Sequence, residues 1–285
     1  MYVARTIVES ERFLAPARKA HKETGLVPTM GALHNGHMSL VDCCRGENEI
    51  TVASIFVNPT QFNDPADLEK YPRNPERDLE ILSSAGCDMA FIPGMRSVYP
   101  APDNRTFDFG KLGRIMEGKY RPGHFNGVAQ VVSRLFSIIR PQRAYFGMKD
   151  LQQLAVVRRM TSMLNLPVEI RACDTVREGN GLAMSSRNEL LTPAQRENAG
   201  LIYKTLVDAS NKSGMEPGEL KRWVTRRINS NPFLEVEYFE IVNESDLQPV
   251  EKRGDAEGRL VGCIAVRAGS VRLIDNVFFP NFEPL

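Results

Sequence analysis

Histidine and tryptophan are scarce in this chain, with four histidines and one tryptophan among 285 residues. No run of about 18 apolar residues occurs, so no membrane-spanning helix is expected. The opening Met1-Tyr-Val-Ala-Arg-Thr6 has no long apolar core and meets Glu9, Glu11 and Arg12 early, so no secretory signal is expected. Excess charge of either sign is missing too: 36 Lys+Arg stand against 35 Asp+Glu. A nucleic-acid binder that works by electrostatics usually carries a clear basic excess, so that class is disfavoured. The short clusters Arg158-Arg159, Lys221-Arg222 and Arg226-Arg227 are expected to be solvated helix faces. The five cysteines are odd in number and contain no CxxC, with Cys43 and Cys44 adjacent. They are expected to be reduced, mostly buried thiols of a cytoplasmic protein. Internal repeats and low-complexity tracts are absent.

What is present is alternation. Strand-like apolar runs fall at Gly25–Thr29, Ile50–Val57, Met89–Pro93, Arg143–Phe146 and Val168–Cys173. Between them, 36–45, 75–85, 128–139 and 151–164 carry apolar residues at helical spacing. Such alternation predicts parallel strands joined by helical crossovers, a Rossmann-like doubly wound α/β sheet. A doubly wound sheet binds its ligand beyond the carboxyl ends of its strands. His34, His37, Asn58, Gln61, Gly147 and Lys149 all follow predicted strands and are expected to converge there.

After about residue 180 the texture changes. Thr192-Pro193 reads as an N-cap with proline at N1, opening a helix that runs to about Lys212 and closes at Ser213-Gly214. A second helix is expected over 216–228, then strands at Leu234–Val242, Val261–Val266 and Val271–Ile274. The expected organisation is therefore a Rossmann-like domain over 1–177 and a smaller α+β domain over 178–285, with the turn-rich Glu178-Gly-Asn-Gly181 at the join.

The segment Leu26-Val-Pro-Thr-Met-Gly-Ala-Leu-His-Asn-Gly-His37 carries the most chemistry. A strand, a glycine-containing loop and a helix start aim backbone N–H groups and a helix N-terminus at a phosphate. His34 and His37 could hydrogen-bond phosphoryl oxygens there. Two alternatives stand beside this: metal ligation, which needs more ligands than two histidines and has only Asp42 and Cys43 near in sequence, and a plain structural role for both rings. Phe146-Gly-Met-Lys-Asp-Leu-Gln-Gln153 repeats the strand–glycine–helix logic: Gly147 allows close approach, Lys149 supplies a cation, and Asp150 sits where an N-cap belongs. Gln153 lies one turn further on. Gly181-Leu-Ala-Met-Ser-Ser-Arg-Asn188 sets two hydroxyls and a guanidinium in one loop, suited to phosphate, though serine and Asn188 could simply cap a helix. Asn58 and Gln61 end the second strand with carboxamides that suit a polyol or carboxylate, unless Asn58 only caps the turn before Pro59. Arg121-Pro-Gly-His124 is expected in a loop, as a lid or a phosphate contact. Asp78, after Tyr71-Pro-Arg-Asn-Pro75, could approach a metal bound to nucleotide phosphates.

Together, VPTMGALHNGH, SIFVNPTQF, YPRNPERD, RPGHFNGVAQVVSRLF, YFGMKDLQQL and GLAMSSRN closely resemble, in order and spacing, the motifs of the pantothenate synthetase (pantoate–β-alanine ligase) family. The resemblance covers almost the whole chain. That family belongs to the nucleotidyltransferases with a HIGH-like signature, here HNGH, and a KMSKS-like loop, here Met184-Ser-Ser-Arg187. The resemblance implies an ATP site formed by Met30, Gly31, Ala32, Leu33, His34, Asn35, Gly36 and His37, by Gly147, Met148, Lys149 and Asp150, by Val176, and by Met184, Ser185, Ser186 and Arg187. It implies His37 as proton donor, with His34, Lys149 and Arg187 as further catalytic groups on the phosphates. Gln61 and Gln153 match pantoate-binding positions, Gln61 also one that approaches β-alanine, and Asp78 one near Mg²⁺. Where the family commonly has Phe-Gly-Glu-Lys-Asp, this chain has Met148.

The resemblance implies that ATP and Mg²⁺ activate pantoate as an acyl adenylate, which β-alanine attacks to give pantothenate and AMP. It also implies a homodimer. The mixed anhydride hydrolyses readily, so the second domain is expected to act as a lid against water. The balanced charge and lack of a long apolar run leave neither nucleic-acid nor membrane partners expected. Two alternatives remain at this point: another HIGH-type nucleotidyltransferase that stops at a nucleotidyl product, and a non-catalytic nucleotide- or RNA-binding protein on the same fold.

Overall fold

In the computed structural model, which describes residues 1–212, 214–256 and 258–279, the expected alternation closes into one parallel sheet. Its strands are β1 (Tyr2–Ala4), β2 (Thr24–Thr29), β3 (Ile50–Ile55), β4 (Met89–Phe91), β5 (Arg143–Gly147) and β6 (Glu169–Cys173). The order across the sheet is β1-β4-β3-β2-β5-β6, every pair parallel. Winding proceeds from β2 through β3 to β4 on one side and from β5 to β6 on the other. The direction therefore reverses between β2 and β5, the place where an open α/β sheet leaves a crevice for a ligand.

The helices of this part are α1 (Ile7–Lys19), α2 (Asn35–Glu47), α3 (Pro65–Lys70), α4 (Pro75–Ser84), α5 (Met95–Val98), α6 (Met116–Tyr120), α7 (His124–Ile139) and α8 (Leu151–Met163). Successive strand residues point to opposite faces, and both faces are covered. Leu26, Val52, Met89 and Phe146 join one core with Leu14 of α1, Val128, Val132 and Leu135 of α7, and Leu154 and Val157 of α8. Their neighbours Val27, Ala53, Ala90 and Tyr145 join another with Leu40, Val41 and Cys44 of α2 and Leu82 of α4. Burial on both faces is why these strands read as continuous apolar runs.

α7 begins four residues before the expected Val128. Gly123 adopts φ +82° and turns the chain, so the helix opens at His124. Asn58, considered as a turn cap, makes no capping bond; its amide instead donates to the Gly127 carbonyl at 3.1 Å and its oxygen accepts from Tyr99 at 3.0 Å. The amino-terminal β1 and α1 lie before the first predicted strand, and a three-residue strand has too little pattern to read from sequence.

Residues cluster into two compact units. One comprises Met1–Gly113, Glu117–Met148 and Gln153–Asp174; the other comprises Arg114–Met116, Lys149–Gln152 and Thr175–Leu285. In the second, an antiparallel sheet of β7 (Glu235–Asn243), β8 (Leu260–Ala268) and β9 (Val271–Phe279) runs in sequence order. Helices α9 (Pro193–Ser210) and α10 (Pro217–Asn229) supply Ile202, Leu206, Leu220 and Val224 to a core with Phe239, Ile264, Val266 and Leu273. Thr192 caps α9 with a reciprocal bond to Gln195, and Pro193 follows at N1 as expected. Of the pair expected to close this helix, Ser213 lies outside the described residues. Cys43 is exposed and the other four cysteines are buried, all as free thiols.

Candidate active site

The loop after β2 is shaped by backbone conformation first. Gly31 has φ +82° and Ala32 φ +50°, so the chain reverses sharply between Thr29 and the start of α2. That conformation is clamped from below by Asp78 of α4. Its Oδ2 accepts the Ala32 N–H at 2.9 Å and its Oδ1 accepts the Leu33 N–H at 2.7 Å. Asp78 is 1% exposed. Burial pushes its carboxyl above the usual carboxylate range, while the two N–H groups pull the other way. Both oxygens of the residue expected beside Mg²⁺ are thus engaged by backbone. Among the described residues, no group of three histidine, cysteine, aspartate or glutamate side chains gathers where a metal ion could sit.

His34 and His37 form the start of α2. His34 is the N-cap residue, and its Nδ1 accepts the Gly36 N–H at 3.1 Å; His37 at N3 returns the bond, its Nδ1 accepting the His34 N–H at 3.3 Å. This is the reciprocal arrangement that a serine and a glutamate usually make, built here from two imidazoles whose rings lie 4.1 Å apart. An Nδ1 that accepts a hydrogen bond carries no proton in the neutral ring, so the hydrogen-bond network assigns the proton to Nε2 in both. Each imidazole therefore uses one nitrogen to build the helix N-terminus and carries its donor on the other. The histidine cap takes up the His34 and Gly36 N–H groups, so what this N-terminus offers an anion is the helix dipole and the two ring donors.

Beyond β3, Pro59–Gln61 forms a single 3-10 turn that presents Gln61, which is buried. Its side-chain nitrogen reaches the Met30 sulfur at 3.0 Å, and Asn58 donates to its oxygen at 3.3 Å. Its backbone is held from α7, where His124 Nδ1 lies 2.7 Å from the Gln61 carbonyl. Arg121 sits 3.1 Å from Nε2 of the same ring. Arginine can only donate, so Nε2 accepts and Nδ1–H is given to Gln61. His124 is buried within the helix that holds Gln61, and the sequence missed this role because its partner lies 63 positions away. Gly127 permits the packing: a Cβ there would lie 2.3 Å from the Thr60 carbonyl oxygen.

At the end of β5, Gly147 is followed by a 3-10 turn over Met148–Asp150 that runs into α8. Met148 packs its apolar side chain against the α7 and α8 core. Asp150, expected as an N-cap, lies 3.7 Å from Lys149 Nζ, and Gln153 is half-buried on the first turn of α8.

In the second unit, the Lys149 carbonyl accepts a bond from Asn276 of β9 at 3.0 Å. Val176 and Met184 are joined across a turn, Met184 N–H donating to the Val176 carbonyl at 3.0 Å. Ser185 N-caps the 3-10 segment Ser186–Leu190, its hydroxyl accepting the Arg187 N–H at 3.3 Å. Ser186 is buried and Arg187 half-buried. Asn188 bonds Glu178 at 2.7 Å and the Ala183 carbonyl at 3.2 Å, holding the turn shut.

A parallel sheet whose winding reverses between β2 and β5, with a doubly histidine-capped helix following β2, defines a doubly wound α/β protein of the kind that takes its ligand at the switch point. Residues 2–278 match the family described as Pantoate-beta-alanine ligase. A pantothenate synthetase from Porphyromonas gingivalis is 51% identical over 282 residues, covering 99% of this chain and 100% of the relative. One from Bacteroides fragilis is 48% identical over 278 residues, covering 97% and 98%. The crystal structure of the pantothenate synthetase from Thermus thermophilus superposes with a TM-score of 0.90 at 41% identity over all of both chains. The Francisella tularensis pantoate–β-alanine ligase, complexed with β-γ ATP and β-alanine, superposes at 0.83 with 34% identity, again over all of both chains. The chain belongs to the pantoate–β-alanine ligase family.

Proposed function

We propose that this protein joins pantoate to β-alanine at the expense of ATP, in two displacements. A pantoate carboxylate oxygen attacks the α-phosphorus, the bond to the β-phosphate oxygen breaks, and pyrophosphate leaves. The β-alanine amine then attacks the acyl carbon of the mixed anhydride, AMP departs with the electron pair of the broken C–O bond, and the ammonium proton is lost. The carboxylate is already a competent nucleophile, so the protein's work is positioning and charge stabilisation.

The observation that carries this reading is the His34–His37 pair, which builds the α2 N-terminus with Nδ1 and keeps its donors on Nε2. We assign His34 and His37 to the phosphates, His37 as proton donor, along the segment from Met30 to His37. Gly147 to Asp150, Val176 and Met184 to Arg187 complete the ATP contacts, Lys149 and Arg187 supplying positive charge. Gln61 and Gln153 take pantoate, and Gln61 also meets β-alanine. Mg²⁺ enters as the ion carried by ATP; Asp78 serves the loop whose N–H groups it holds. The domain over 178–285 acts as a lid that keeps water from the anhydride. A cytoplasmic location rests on the cysteine usage, and a homodimer on the family resemblance.

Incubation with ATP, Mg²⁺, pantoate and β-alanine, followed by mass detection, tests the assignment. Equimolar pantothenate, AMP and pyrophosphate are expected. A nucleotidyl product without an amide, or no AMP when all four are present, refutes it.

A further inference from the structure

Strand β9 carries two adjacent polar residues, Asp275 and Asn276, that are almost fully buried at 5% and 7% exposure. Each reaches a different cationic segment. Asn276 donates its side-chain amide to the Lys149 carbonyl at 3.0 Å. Asp275 takes a forked pair from Arg177, Nη1 to Oδ2 at 2.6 Å and Nη2 to Oδ1 at 2.9 Å, and also accepts the Asn276 N–H at 2.8 Å. Arg177 in turn donates to the Gly181 carbonyl at 3.2 Å, and its guanidinium carbon lies 3.6 Å from the ring centre of Tyr203 on α9. Arg177 is thereby fixed inside the turn, closed by the Val176–Met184 bond, that leads directly into Ser185, Ser186 and Arg187.

Such a network is poorly explained as a device for stability. A buried ion pair loses hydration worth about as much as the attraction it gains, and apolar replacements of similar size often stabilise a fold more. It does specify geometry, because a planar fork admits few relative orientations. Burial pushes the Asp275 carboxyl up, and the Arg177 fork, the Asn276 N–H and the Lys149 charge oppose that push.

We infer that Asp275 and Asn276 are positioning residues that tie Lys149 and the loop ending at Arg187 to one strand, so that the two cations hold a fixed separation during adenylate formation. The inference rests on the proposed role of Lys149 and Arg187 at the phosphates. As charge shifts from the α-phosphorus toward departing pyrophosphate, stabilisation needs cations that do not reorganise. Asn276 acts through Lys149 and touches no substrate in this scheme. Its loss should slow adenylation and spare the attack of β-alanine, which takes place at the acyl carbon.

The test is a double-mutant cycle on the full chain with Asn276→Ala and Lys149→Ala. Pantoate-dependent ATP–pyrophosphate exchange reads the first step, and single-turnover amide formation from bound pantoyl adenylate reads the second. Asn276→Ala is expected to lower kcat for exchange about tenfold or more, with a smaller change in KM for ATP and in the second step. In the Lys149→Ala background the same substitution should have no further effect, since interacting residues are non-additive. Asn276→Leu keeps the volume without the donor and should reproduce the loss if the alanine variant folds poorly. Additive losses in the two backgrounds, or equal losses in both steps, overturn the inference. A wild-type exchange rate for Asn276→Ala and Asn276→Leu alongside a crippled Lys149→Ala overturns it alone. A wild-type rate for Lys149→Ala overturns the assignment of Lys149 and the inference with it.

Discussion

Replacing Asp78 by asparagine separates a loop clamp from a metal ligand. The carboxylate accepts the Ala32 N–H at 2.9 Å and the Leu33 N–H at 2.7 Å from a site 1% exposed. Asparagine keeps one acceptor and turns an NH₂ group toward the other N–H, leaving one buried donor without a partner. That costs about 1–3 kcal/mol. Part is offset, because removing the charge also removes the desolvation that pushes the Asp78 carboxyl up. A net local loss of about 2 kcal/mol is expected, or about 30-fold faster exchange of the Ala32 and Leu33 amides where opening limits it. Hydrogen exchange read by NMR or mass spectrometry measures this at the loop itself. The pH dependence has a definite sign. A raised folded pKa means the native state holds the Asp78 proton more tightly, so this group's contribution to stability falls as pH rises from the ordinary 3.8 through the raised value, and Asp78→Asn abolishes that slope. The Mg²⁺ concentration needed for half-maximal adenylation at fixed ATP should stay unchanged. Unaltered amide protection together with a large rise in that Mg²⁺ requirement would refute the clamp and restore a direct metal role.

Lys149→Ala should lose at least about 3 kcal/mol of adenylation transition-state stabilisation, the scale of an oxyanion donor, with circular dichroism unchanged; a near-wild-type rate of pyrophosphate release removes it from the phosphates. His37→Gln keeps an acceptor at the third helical position, so the α2 cap bond to His34 N–H should survive and urea unfolding should stay close to wild type, whereas adenylation falls as far as in His37→Ala; full activity in the glutamine variant would show that only the cap matters. Gly127→Ala places a Cβ 2.3 Å from the Thr60 carbonyl oxygen and 2.6 Å from Gln61 N. The turn must shift, costing about 1–3 kcal/mol and raising KM for pantoate more than KM for ATP; steady-state kinetics and thermal unfolding report both. Asp103 is held down at about 2 by hydrogen bonds from Arg105, against the ordinary 3.8. Its stabilisation is complete above about 4 and is lost as pH falls toward 2. Arg105 is 40% exposed, so screening leaves about 1 kcal/mol, visible as a flatter acid-unfolding curve in Asp103→Asn.

The expected elements at Gly25–Thr29, Arg143–Phe146 and 151–164 match β2, β5 and α8 to within a residue or two, because strand and helix periodicities are local. The Thr192-Pro193 helix start was equally legible, since a cap involves residues three positions apart. The histidine cap obeys the same spacing, yet the familiar pattern names serine or threonine with glutamate, so HNGH read as a ligand motif and not also as a capping box.

By itself the sequence determined the strand–helix alternation, the parallel sheet it implies, the change to an antiparallel α+β unit, and the motifs at the loops that follow β2 and β5. Each of these depends on neighbours a few residues apart, where backbone geometry leaves few choices. Only the tertiary structure decided what holds those loops. Asp78 reaches Ala32 across 46 positions, His124 reaches Gln61 across 63, and Asn276 reaches Lys149 across 127. A single buried hydrogen bond between distant segments leaves no periodic trace in the chain; it exists because sheet order and helix packing bring a particular side chain beneath a particular backbone.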